Sequence, residues 1–106
     1  MNGEQRDRHT LRLLPWTGDQ GKPCYVLGDG TGHVSRVADG IESIQLGMAE
    51  DLLGHAADLL ADRRVTSGEL HFLASRLSES LGDVKRVAES RGARLEAAGP
   101  APDNEK

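Results

Sequence analysis

The spacing of apolar positions changes once along the chain. From residue 10 to residue 37 they fall in three short runs of strand-forming composition, "TLRLLPW" (10–16), "KPCYVL" (22–27) and "HVSRV" (33–37). Between these runs lie "TGDQG" and "GDGTG", clusters of Gly, Asp and Thr of the kind that turns use. The pattern predicts a three-stranded antiparallel β-meander over 10–38. From residue 39 the period becomes helical, and no proline interrupts the chain until Pro100.

Two capping signals divide the helical part. In "DGIE", Asp39 stands three residues before Glu42, the spacing at which the cap accepts from the backbone and the acid reaches back. In "TSGE", Thr66 and Glu69 repeat that spacing. The expectation is a helix from Asp39 to about Arg63 and a second from Thr66 to Arg91 or beyond, ending at Gly92 or at Gly99-Pro100. The link between them is too short for anything but an antiparallel hairpin whose arms each run roughly 37 Å.

The two arms differ in their faces. The second carries one narrow stripe, Leu70, Leu73, Leu77, Leu81, Val84, Ala88 and Leu95. The first carries two adjoining stripes, Ile41, Ile44, Met48, Leu52 and Leu59 beside Leu46, Ala49, Leu53, Ala56 and Leu60, which is more than one partner helix covers. It also carries a row of small residues, Ser43, Gly47, Gly54, Ala57 and Ala61. Interior glycines cost about 1 kcal/mol each relative to alanine. That row fits either a close backbone approach or an exposed face on which the cost is tolerated.

A hairpin with a small meander is one thin layer with little surface to bury. Pairing two copies through Ile44, Met48, Leu52, Leu53 and Leu59 would complete a four-helix bundle, so a homodimer is expected. The alternative is a monomer in which Trp16, Leu14, Tyr25 and Val26 fold back over the same face. The expected fold class is α+β, mainly α, as a single domain of meander (10–38) and helical hairpin (39–95), flanked by mobile polar tails at 1–9 and 96–106.

Composition narrows the classes of function. With 106 residues, 37% hydrophobic and 28% charged, the chain is ordinary for one globular domain. A net charge of −4 disfavours non-specific nucleic-acid binding, which runs on phosphate neutralisation. No run reaches the roughly 18 apolar residues of a membrane span and the N-terminus is polar, so a cytoplasmic protein is expected. One cysteine, Cys24, excludes an internal disulfide framework.

Candidate chemistry is thin. Gly28, Gly30 and Gly32 are spaced GxGxG rather than GxGxxG, a strand-like run follows them, and the stretch lacks the lysine of a phosphate-binding loop. They predict a hairpin turn. His55 and His71 flank the link between the helices and could face each other, but no HExxH or HxxxH pattern surrounds them. No catalytic constellation, cofactor site or metal site is expected. The few aromatics, Trp16, Tyr25 and Phe72, are the candidate contact anchors for a protein partner.

The stretches "PWTG", "GKPCY", "SRVAD", "IQLGM" and "VAESRGARL", spread over about residues 11 to 95, give the chain a resemblance to a group of short actinobacterial proteins of the Streptomyces type, uncharacterised in function. The resemblance implies a cytoplasmic accessory or regulatory protein and brings no catalytic residues with it. The expected function is a non-enzymatic interaction or regulatory module acting as a homodimer. Two alternatives are a DNA-associated regulator using Arg63, Arg64, Arg86, Arg91 and Arg94, and a small-ligand or metal-binding protein using the 28–32 turn or His55 and His71.

Overall fold

The computed structural model describes residues 10–28 and 31–99. Two strands, β1 (Thr10–Thr17) and β2 (Pro23–Gly28), precede two long helices, α1 (His33–Ala61) and α2 (Ser67–Ala98). The chain is α+β and mainly helical, with an antiparallel β-hairpin followed by an antiparallel helical hairpin. The tails expected at 1–9 and from Pro100 onward lie outside the described residues, while 96–98 continue α2.

The hairpin pairs Thr10 with Gly28, Leu11 with Leu27, Arg12 with Val26 and Leu13 with Tyr25, then shifts register before Thr17 meets Pro23. Pro15 lies in the irregular part, where a residue without an N–H breaks no ladder. A short 3-10 turn, Asp19–Gly21, closes the hairpin, with Gln20 and Gly21 both at positive φ (59° and 74°). Gly18 sits at a close approach, where a Cβ would lie 3.1 Å from Cys24 Sγ and push that side chain aside by a few tenths of an ångström.

The third run is not a strand. His33–Val37 form the start of α1, with Gly32 at its N-cap and the Arg36 N–H donating to the Gly32 carbonyl. Asp39 and Glu42 are therefore inside the helix and cap nothing. Residues three apart share a helix face whether or not a helix begins there, so the spacing of a capping box is also that of two acids aimed at one partner. Here that partner is Arg12 of β1.

The second capping box is present as expected. The Glu69 N–H donates to Thr66 Oγ1 at 3.1 Å, and the Thr66 N–H donates to Glu69 Oε1 at 2.8 Å. The helix then runs to Ala98 and stops at Gly99, whose φ of 75° suits glycine. Between the helices, Asp62 Oδ1 accepts from the Arg64 N–H and the Asp62 carbonyl accepts from the Val65 N–H.

β1 lies against α2 and more lightly against α1, whereas β2 touches mainly β1. Among the described residues the buried apolar side chains are Leu14, Pro15, Ala38, Ala56, Leu73 and Val87. The radius of gyration is 18.6 Å, against about 13 Å for a compact chain of 100 residues. The molecule is a thin, extended layer with its densest packing at the hairpin end.

Candidate protein-interaction site

Strand alternation places Arg12 on the same face as Leu14, turned toward the helices. Both side chains are buried. Arg12 Nη2 lies 2.7 Å from Asp39 Oδ1 and 3.3 Å from Glu42 Oε2, and Arg12 Nη1 donates to the Ser35 carbonyl at 3.0 Å. The Glu42 contact is an ion pair by distance without the alignment of a hydrogen bond. Glu42, itself buried, has Arg91 at 3.7 Å and Arg94 at 4.0 Å on α2.

Three guanidinium groups thus surround two carboxylates. The Arg94 pKa is lowered, first by burial and then by the neighbouring charge of Arg12. Ser90, also buried, donates to the Leu13 carbonyl at 2.9 Å and accepts from Arg94 Nη1. Gln45 Nε2 donates to the Pro15 carbonyl at 3.1 Å. These polar contacts clamp β1 between the N-terminal half of α1 and the C-terminal third of α2. The hydrophobic pattern did not single out Arg12, Glu42 or Ser90 for this role. The available signal was an arginine at an inward strand position, which demands an acid.

With β1 held by its inner face, the outer face of the hairpin points to solvent and is apolar. Leu11, Leu27 and Tyr25 are 61%, 64% and 53% exposed. Trp16 is half-buried at the end of β1. Phe72 is exposed as well, with Arg76 over its ring at 6.0 Å, but it lines a shallow recess with His55 and Leu59 near the link between the helices. Phe72 and Ser90 are about 27 Å apart along α2 at 1.5 Å per residue, so Phe72 belongs to a different surface from Tyr25.

The residues expected at a dimer interface separate onto different sides of α1. Ile44 and Met48 are exposed on one flank, and Leu52 and Leu59 are half-buried. Leu53, nine residues from Ile44, is about 180° round the helix on the other flank. There it lines an open groove of about 310 Å³ with Leu46, Ala49, Glu50, Leu77, Ser80, Leu81 and Val84. The recess on the Met48 flank is only about 40 Å³ and is lined by Gln45, Arg76, Glu79, Ser80 and Asp83 besides Met48 and Leu52.

The chain matches no protein-family model, no curated protein and no solved structure.

The remaining sequence candidates are dispersed. His71 is two residues, about 200° round α2, from buried Leu73, so it points away from α1 and does not meet His55. No cluster of three or more metal-ligating side chains occurs among the described residues. Arg63 and Arg64 follow α1 at one end, Arg86 has Asp83 beside it, and Arg91 and Arg94 face Glu42 at the other end, so these arginines form no single basic patch.

Gly28 ends β2 and Gly32 caps α1, which corrects the expected strand-to-strand turn to a strand-to-helix connection. The described sheet nevertheless has two antiparallel strands and lacks the parallel crossover of a dinucleotide fold. No described helix is long and apolar enough to cross a membrane.

Proposed function

We propose that this chain is a non-enzymatic protein-interaction module of regulatory or accessory type, acting as a homodimer. The helical hairpin is the scaffold, and the β-hairpin presents the surface that a partner protein contacts. One observation carries the reading: Leu11, Tyr25 and Leu27 form an exposed apolar face on a strand pair whose inner face is fixed to both helices by Arg12 and Ser90. A rigidly held apolar face binds at low entropic cost, and Tyr25 is of a type enriched at interface hot spots.

The test is capture of partners from the native cell with tagged wild-type protein and with the Trp16→Ala and Tyr25→Ala variants. The reading expects one stoichiometric protein that both variants lose while keeping their helical circular dichroism. A protein retained in full by both variants, or nucleic acid recovered without any protein, counts against it.

A further inference from the structure

The groove on the Leu53 flank has the form of a bundle core cut in half. Its lining comes equally from both helices and is almost wholly apolar, with Glu50 and Ser80 as the polar members. The heptad continues it in both directions: Leu60 follows Leu53, Leu70 precedes Leu77, and Ala88 and Leu95 follow Leu81, each seven residues apart. Leu53, Leu60, Leu81 and Leu95 are 67%, 73%, 68% and 74% exposed. The β-hairpin does not relieve this exposure, because β1 is held at Ser35–Gln45 and at Ser90.

We infer that the occupant of this groove is a second copy of the chain, packed across a two-fold axis so that four helices enclose Leu46, Leu53, Leu77 and Leu81. The inference rests on the homodimer reading above and specifies its face. Size is the deciding argument. Two helices side by side are about 20 Å wide, and the stripe from Leu70 to Leu95 is about 37 Å long at 1.5 Å per residue. Because β1 occupies α1 from Ser35 to Gln45, both helices line the face over only about 21 Å and α2 alone extends it, so the footprint is on the order of 600 Å², approaching the ~800 Å² per partner of a standard stable interface. Antiparallel arms of similar length also make the face self-complementary, as an isologous contact requires. On the opposite flank Ile44 and Met48 are exposed, but the recess between the helices there is small and bordered by Arg76, Glu79 and Asp83.

Sedimentation velocity of the full chain at increasing concentration tests this directly. The wild type is expected at twice the 11.4 kDa chain mass. The Leu53→Glu, Leu81→Glu double variant is expected to run as a monomer, its dimer weakened by about 100-fold or more, with helical circular dichroism retained because both positions are exposed in the protomer. If that variant loses helicity, Leu53→Gln with Leu81→Gln gives the same reading with less charge.

The matching control is Ile44→Glu with Met48→Glu, which is expected to leave the dimer intact. A wild type that stays monomeric to roughly 100 µM overturns both the groove assignment and the homodimer reading. A dimer that survives the Leu53 and Leu81 changes overturns the groove assignment alone, whether or not the Ile44 and Met48 changes dissociate it.

Discussion

At Glu42 a fully desolvated carboxylate is placed between a strand arginine and two helix arginines. Breaking a buried ion pair from one side strands the other charge, which costs more than the pair contributes to folding. Glu42→Gln is therefore expected to lower the unfolding free energy by about 3 kcal/mol, read as a fall in the urea midpoint. Replacing both partners, Arg12→Met with Glu42→Leu, is expected to recover most of that loss. Arg94 differs in degree. Its pKa is lowered, by burial first and then by Arg12. A base whose folded-state pKa falls below its unfolded value has its charged form disfavoured by the fold, and relief comes only as pH rises through the folded value. The burial penalty on the Arg94 charge is set against its contacts with Glu42 and Ser90, so Arg94→Met is expected to lower the urea midpoint less than Arg12→Met does.

Among the elements, the start of α2 was legible in the sequence to the residue, because Thr66 and Glu69 set it locally, while its stop was left between Gly92 and Gly99 and falls at Gly99. The start of α1 was not. His33, Val34 and Val37 have strand-like composition, and a helix there depends on Ser35, Asp39 and Glu42 meeting Arg12, a contact across more than twenty residues that no local pattern carries. Gly47 and Gly54 show the same limit in a milder form. Their spacing fitted either a close approach or an open face, and in the protomer nothing lies within 4 Å of a Cβ built at either. Gly54 is also about 100° round α1 from Leu53, beyond the groove centre. Gly54→Ala is accordingly expected to stabilise the protein by about 1 kcal/mol in thermal or urea unfolding, with no change in oligomeric state.

For the whole molecule, the apolar faces of both helices were legible from their period, but the choice of which flank stays open was not. It depends on where the β-hairpin docks, and there the contacts of Arg12, Gln45 and Ser90 lie beside buried Leu14, Ala38 and Val87, a long-range combination that no single stripe displays. With six buried apolar side chains among the described residues, the protomer has a small core for its length. If the groove is filled by a second copy, the thermal midpoint is expected to climb as protein concentration is raised, a dependence that calorimetry or fluorescence at several concentrations detects and that a folded monomer lacks. The bond from Ser90 to Leu13 has a further consequence. It joins the first element to the last across 77 residues of chain. During synthesis β1 and β2 emerge before both helices, and the serine that holds the Leu13 carbonyl follows 77 residues later. Arg12 finds Ser35, Asp39 and Glu42 as soon as α1 forms, whereas the Leu13 carbonyl waits for α2. The strand is therefore secured in two steps, first by α1 and then by the C-terminal third of α2, and a chain shortened before Ser90 is expected to keep the first attachment and lose the second.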